Sequence, residues 1–204
     1  VANSLIALEQ GVIKDTNQIL NFDHSKYVPQ AWWPPVWKLP SYNLKTAFKY
    51  SMVAIYRQMA NDIGPSAMAT QLARFDYGNQ DISSAVDNFW LGKTLKISAL
   101  EQAKFLQRVY HNSMGLKPSS LDSLKQIMLV EANDNYKLYA KTGAGRLGDK
   151  TMLGWYIGFV ENNQGVHFFA LNLNTETYAQ VKQQRISMAI NHLKQHNVLP
   201  KSHD

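Results

Sequence analysis

Apolar residues recur at helical spacing along the first two thirds of the chain and change to strand-like runs in the last third. Leu5, Ile6 and Leu8 form an apolar helical face that Gly11 stops. No residue caps the start of that stretch, so it reads as a helix already in progress, with a segment expected upstream. A polar, irregular region follows to about residue 43, where Pro29, Pro34, Pro35 and Pro40 favour extended segments and turns. Asn43 is a good N-cap for a helix from Leu44. Leu44, Phe48, Ile55, Met59 and Ile63 keep the helical period, with a break near Ser51. Gly64-Pro65-Ser66 ends one helix and starts another that runs to about Phe75. Residues 76–96 read as loop. Ser98 and Glu101 form a capping box ahead of a helix to about His111, and a further helix follows Ser119-Ser120 to about Ala132.

The period then shortens. Lys137–Lys141, Met152–Glu161 and Val166–Asn174 read as strands, the last two joined in a hairpin by Asn162-Asn163-Gln164-Gly165. A closing helix from about Tyr178 to His196 carries Ile186, Ile190 and Leu193 on one face. Helices first, sheet late and a final helix predict an α+β fold, with an antiparallel sheet flanked by helices and a mostly helical subregion. No repeat, low-complexity tract or linker breaks residues 1–204, which read as a single domain.

Composition narrows the function classes. The chain has 204 residues and a formal net charge of +6, but its Lys and Arg are scattered among acidic residues, so no nucleic-acid surface is expected. The excess favours anionic small molecules through a weak overall field. Without Cys there are neither disulfides nor thiolate metal sites. Of the six His, only His192 and His196 have helical spacing, with no Glu between them as in a zinc protease motif, so no metal is expected. No apolar run reaches about 18 residues, so no membrane span is expected in this chain.

Several short motifs are individually weak. They are Ser51-Met52-Val53, Tyr77-Gly78-Asn79, Phe89-Trp90-Leu91 and Lys141-Thr142-Gly143. The run Trp32-Trp33-Pro34-Pro35-Val36-Trp37 is either a rigid aromatic plug on the core or a wall of a ligand groove. In order, and with Leu-Glu-Gln-Gly-Val-Ile at 8–13, Ser-Ala-Leu-Glu-Gln at 98–102 and Gly-Trp-Tyr-Ile-Gly at 154–158, the motifs resemble the class D serine β-lactamases, or oxacillinases. The likeness extends over essentially the whole chain and implies a β-lactamase/transpeptidase-like fold.

In that family a Ser-x-x-Lys pair immediately precedes the segment matching Val1. The nucleophilic serine and the lysine that takes up CO2 as a carbamate would therefore lie before Val1. Two accounts fit: a polypeptide that truly begins there, or one read in two parts at a modified lysine.

The resemblance implies β-lactam hydrolysis through an acyl-serine, with the carboxylated lysine as general base and no cofactor beyond CO2 or bicarbonate. The expected partner is a small-molecule β-lactam, and the expected location is the periplasm. Ser51 would relay a proton to the departing β-lactam nitrogen, and Trp90 would hold a carbamate oxygen with its indole N–H. Val53, Phe89 and Leu91 would keep the lysine pocket dry, which depresses the amine's pKa and lets a carbamate form. Lys141 would place charge near the serine and the substrate carboxylate, with Thr142 and Arg185 binding that carboxylate. The Ala144 N–H would serve the oxyanion hole, and Tyr77, Asn79 and Gly143 would shape the site.

Two departures stand beside the likeness. Gly92-Lys93-Thr94 replaces the family's usual acidic residue and glycine, and Ala54-Ile55-Tyr56 replaces Pro-Val-Tyr. Two rival readings remain: a β-lactam sensor domain of a membrane receptor, which acylates without turnover, and a relative that binds without catalysis. Val53 favours the hydrolase, because sensors usually carry Asn there and an amide would hydrogen-bond the lysine and disfavour its carbamate.

Overall fold

The computed structural model describes residues 1–148 and 150–200, so His203 lies outside it. Its helical elements begin with α1 (Ala2–Glu9) and continue after a short strand pair, β1 (Ile19–Leu20) with β2 (Tyr42–Asn43), in α2 (Leu44–Tyr50), α3 (Val53–Ile63) and α4 (Pro65–Arg74). After a long loop come α5 (Ala99–Tyr110) and α6 (Pro118–Met128). The strands β3 (Leu129–Ala132), β4 (Tyr136–Leu147), β5 (Thr151–Asn162) and β6 (Gly165–Thr175) precede the last helix, α7 (Tyr178–Gln195). Contacts divide the chain into two units. A helical unit joins Val1–Leu95 to Asn112–Ile127, and a sheet unit joins Lys96–His111 to the chain from Met128 onward.

Side chains close on the backbone at the helix starts. Asn43 accepts from the Thr46 N–H at 3.0 Å while Thr46 Oγ1 accepts the Asn43 N–H at 3.0 Å, opening α2. Ser98 and Glu101 form the expected box for α5. Thr177 and Gln180 form another for α7, one not singled out in the sequence. At α4 the cap position is Gly64 with Pro65 in the first turn, so the start is set by backbone and proline geometry and not by the Ser66 hydroxyl.

In the helical unit, α1 is buried on nearly every side, beyond the single apolar face its sequence suggests. Its polar groups are satisfied inside: Ser4 Oγ lies 2.9 Å from the Tyr56 hydroxyl, and Glu9 pairs with Arg74 at 3.3 Å. In the irregular region, the aromatic run folds over a 3-10 turn at Pro35–Trp37. Trp33 is buried and edge-on to Trp37 at 5.7 Å, while Trp32 is 71% exposed. The plug reading therefore holds for Trp33 but not for Trp32.

In the sheet unit the strands run antiparallel in the order β3-β4-β5-β6. One face packs Leu138, Ala140, Tyr156 and Val160 against Ala189 and Leu193 of α7. The other carries an aromatic cluster in which Tyr110 of α5 meets Phe159 at 5.2 Å and Phe168 at 5.7 Å. Three expectations need correction. The helix after Ser119-Ser120 stops at Met128, because Leu129–Ala132 pair with β4 and become strand. Ile186 is 41% exposed and does not share the buried face of Leu193. Strand β4 also continues past Lys141 to Leu147, through two glycines that read as turn residues.

Gly158 marks the tightest backbone approach in this sheet. A Cβ there would lie 2.1 Å from the Tyr139 carbonyl oxygen, whereas at Gly154 the nearest obstacle is a Val181 methyl at 2.8 Å. A side chain can give way and a backbone carbonyl in a ladder cannot. Gly158→Ala is therefore expected to destabilise the protein by about 3 kcal/mol, near the top of the range for overpacked sites. Gly154→Ala should lose less. Thermal melts of the two variants check the order, and equal losses would contradict it.

Candidate active site

The helical unit holds one group of the expected site residues. Ser51 ends α2 in the left-handed region, at φ 50° and ψ 49°. The Met52 N–H donates to Ala47 O at 2.9 Å and the fully buried Met52 side chain anchors the turn. A non-glycine residue at positive φ is uncommon and clusters at functional turns. The preceding residue is held too, since Trp37 Nε1 donates to Tyr50 O at 2.8 Å. Val53 opens α3, half-buried, and lines a cavity of about 360 Å³ with Tyr27, Trp32, Trp33, Trp37 and Arg57. The three Trp residues thus line a cavity wall, and Trp33 packs on the core as well.

The 76–96 loop has no regular structure of its own and is shaped by side chains. Asn79 Nδ2 donates to Thr94 O at 3.0 Å, and Thr94 Oγ1 donates to Asp81 O at 3.0 Å, so Asn79 ties the two ends of the loop. Tyr77 is buried, and its N–H donates to Leu72 O at 3.1 Å, continuing from α4. Phe89 is buried at 1% exposure and meets the half-buried Trp90 edge-on at 4.9 Å. Leu91 is 38% exposed, so Phe89 is the closed part of the expected dry wall.

Sequence reading missed what fixes this loop to α3. Asp87, 7% exposed, accepts from the Tyr27 hydroxyl at 2.9 Å and from Arg57 Nη2 at 2.9 Å. Arg57 Nε also donates to the Asp87 carbonyl at 3.2 Å. Burial of Asp87 works against its charge, but the Tyr27 hydroxyl and the Arg57 guanidinium outweigh it and hold the carboxyl below its ordinary range. Burial and Asp87 push the Tyr27 hydroxyl up to about 12. Arg57 and Asp87 lie 30 positions apart, so neither residue carried a local signal.

The sheet unit holds the second group. Strand β3 pairs β4 as far as Tyr139, while β5 pairs β4 along its whole length to Leu147. Lys141 Nζ donates to Thr142 O at 2.8 Å. Backbone groups two residues apart along a strand turn the same way, which puts the Ala144 N–H on the same edge of β4 as the Thr142 carbonyl. Gly143 sits opposite Trp155, where a Cβ would come within 3.2 Å of the Trp155 Cβ. From α7, Arg185 Nη1 donates to Gly143 O at 2.8 Å, while its Nε is buried with no hydrogen-bond partner among the described residues. Lys141, Thr142, Gly143 and Arg185 are thus brought together in this unit.

Two cations so placed repel. Burial, with the nearby Arg185 charge adding to it, depresses the Lys141 amine from 10.5 to about 8. Burial also pulls the Arg185 guanidinium below its ordinary value, with Tyr178 opposing. A carboxylate between such groups would relieve the repulsion and accept their N–H donors. Among the described residues no group of three or more His, Asp or Glu could hold a metal ion.

The penicillin binding protein transpeptidase domain family matches residues 1–192. Beta-lactamase OXA-48 of Klebsiella pneumoniae is 43% identical over 178 residues, which cover 87% of this chain and 64% of that protein. Beta-lactamase OXA-10 of Pseudomonas aeruginosa is 32% identical over 183 residues, 89% of this chain and 66% of that protein. The crystal structure of FUS-1 (OXA-85), a class D β-lactamase from Fusobacterium nucleatum subsp. polymorphum, superposes with a TM-score of 0.88 at 30% identity, covering 97% of this chain and 79% of that one. Within the transpeptidase-like fold, the chain belongs to the class D β-lactamase family. It spans 64–66% of the length of the curated relatives named here.

The depressed Lys141 gives a signed expectation. A base whose folded-state pKa lies below its unfolded value is charged at a cost in the folded state, and that cost is fully present below pH 8. It fades as pH rises from 8 towards 10.5. Lys141→Met should therefore raise the melting temperature at pH 7 and gain little near the upper end of that window. Melting curves at both pH values check it; an equal gain at both would place the Lys141 titration elsewhere.

Proposed function

We propose that the polypeptide hydrolyses β-lactam antibiotics through an acyl-serine intermediate, as one penicillin-recognising serine hydrolase domain over residues 1–204. The observation that carries this reading is Lys141 on the Lys-Thr-Gly strand of a class D chain with Arg185 reaching the Gly143 carbonyl from α7, a site built for a small carboxylate. A serine and a lysine preceding Val1 complete the site, and the lysine, carboxylated by CO2, supplies a general base for acylation and deacylation. The half-buried Trp90 beside the fully buried Phe89 fits such a group, since it offers one N–H without wetting the pocket.

The residues of this chain then divide the work. Arg185 and Thr142 hold the substrate carboxylate, with Lys141 adding charge. The Ala144 N–H stabilises the oxyanion as the serine oxygen bonds to the lactam carbonyl carbon. The ring C–N bond breaks and the departing nitrogen takes its proton through Ser51. Water then adds to the acyl carbonyl, the ester bond breaks, and the serine returns with the ring-opened acid released. Asn79, Tyr77 and Gly143 shape the backbone around these groups. Val53 keeps an amide away from the lysine, which supports the hydrolase over a sensor that acylates without turnover.

The resemblance to the class D β-lactamases supports a periplasmic location. Among the described residues no helix is long and apolar enough to cross a membrane.

Nitrocefin hydrolysis by the intact polypeptide, with and without added bicarbonate, tests the reading. Turnover that rises with bicarbonate is expected. A single stoichiometric acylation without a bicarbonate response would establish the sensor instead, and no acylation would mean a non-catalytic relative. Trp90→Ala should slow deacylation by about tenfold or more, the usual effect of removing a group that supports a general base. Arg185→Ala should mainly raise KM, and an unchanged KM would remove Arg185 from substrate binding.

A further inference from the structure

We propose that Arg57 and Asp87 are positioning residues for Trp90, setting how readily the site holds its carbamate. This rests on the function proposed above and concerns a pair that touches no reacting atom.

The argument begins with the loop. Residues 85–91 form consecutive tight turns: the Phe89 N–H donates to Ala85 O at 3.1 Å and the Leu91 N–H to Asn88 O at 2.8 Å. Such a segment moves as a piece, and Trp90 lies three residues from Asp87 within it. The turns fix the shape of the piece but not its position over α3.

Arg57 supplies that position. Its guanidinium takes both the carboxylate and the backbone carbonyl of Asp87, at 2.9 and 3.2 Å, so the residue is gripped at two points. A planar fork can do this and a point charge cannot. On α3, Arg57 stands four residues after Val53, one helical turn along the same face, and both line the same cavity. One helix face thereby registers the apolar residue and the loop that carries the indole.

The network has little freedom to rearrange. The Tyr27 hydroxyl donates to Asp87 and accepts from Asn61, while Asn61 also donates to the Arg57 carbonyl at 3.0 Å. Arg57 lies over the Tyr27 ring, 4.6 Å from its centroid. Asp87 is nearly buried, so removing either charge leaves its partner poorly solvated and releases the loop.

The test uses the intact polypeptide and reads the bicarbonate concentration that gives half-maximal nitrocefin turnover. Arg57→Gln and Asp87→Asn should each raise it by about tenfold, with the double variant no worse than either, as for residues that act as a unit. Adding either change to Trp90→Phe should have no further effect, because the indole N–H it positions is already gone. Arg57→Lys should recover only part of the loss. Glu9→Gln, which breaks the separate pair with Arg74, should lower the melting temperature without moving the bicarbonate midpoint. If Asp87→Asn does not fold, Tyr27→Phe removes one donor to the same carboxylate and should shift the midpoint by about threefold.

Midpoints unchanged in these variants at equal folded fraction would make the pair a structural staple and overturn the proposal. So would shifts that add fully to those of Trp90→Phe. A wild-type protein with no bicarbonate response would defeat the underlying functional reading first, an outcome separate from a responsive wild type with unresponsive variants.

Discussion

Strands β4 and β5 pair without a break from Tyr136 opposite Asn162 to Leu147 opposite Thr151, and the chemistry of the sheet unit depends on that register. Side chains alternate along a strand, so a slip of one position would exchange the faces of Leu138, Ala140 and Thr142 with those of Tyr139, Lys141 and Gly143. The α7 core would then lose Leu138 and Ala140. Gly158 guards the register sterically, because only a residue without Cβ fits beside the Tyr139 carbonyl. The same pairing sets Gly143 against Trp155 and leaves its carbonyl within reach of Arg185. One register therefore satisfies the core and aligns the cations.

The helical unit reaches its order by another route. Its long loop has no ladder of backbone hydrogen bonds, so its shape depends on side chains reaching back to the main chain. Asn79 and Thr94 fasten the loop's ends, while Asp87 fastens its middle to Arg57 and Tyr27. Such fastening is sensitive to single substitutions in a way that a sheet is not, since each link is one side chain. The Gly92-Lys93-Thr94 departure lies in this loop, yet Thr94 still closes it through its carbonyl and hydroxyl. The altered residues change the loop surface while its closure is kept.

What could be read from sequence follows from how local each signal is. The N-cap at Asn43, the capping box at Ser98 and the hairpin at Asn162–Gly165 lie within a few residues, so pattern alone located them. The break at Ser51 was legible for the same reason. Strand β3 was not, because Leu129-Val130-Glu131-Ala132 suits either structure and only pairing with β4 decides it. The extension of β4 was hidden by Gly143 and Gly145, which signal turns unless a neighbouring strand holds them extended. At the site, the motif residues were legible through their order along the chain. Arg57, Asp87 and Tyr27 were not, since each is an ordinary residue until tertiary contact makes it a partner.

The two units handle their buried charges differently. In the sheet unit, Lys141 and Arg185 are held close, the lysine depressed by burial with the Arg185 charge adding to it, an arrangement that an anionic ligand stabilises. In the helical unit, Trp90 packs edge-on against the buried Phe89, and the Asp87 carboxylate three residues away has its charge taken up by Arg57 and Tyr27. A lysine that must be neutral to react with CO2 is served by apolar surroundings and harmed by an unscreened cation. A substrate carboxylate needs the reverse. Keeping Lys141 and Arg185 on the strand and α7, and locking Arg57 into an ion pair with Asp87, lets one polypeptide meet both demands. Arg57 is then not merely compatible with a dry pocket: paired with Asp87, it is a guanidinium whose charge is spent before it can oppose the chemistry proposed nearby.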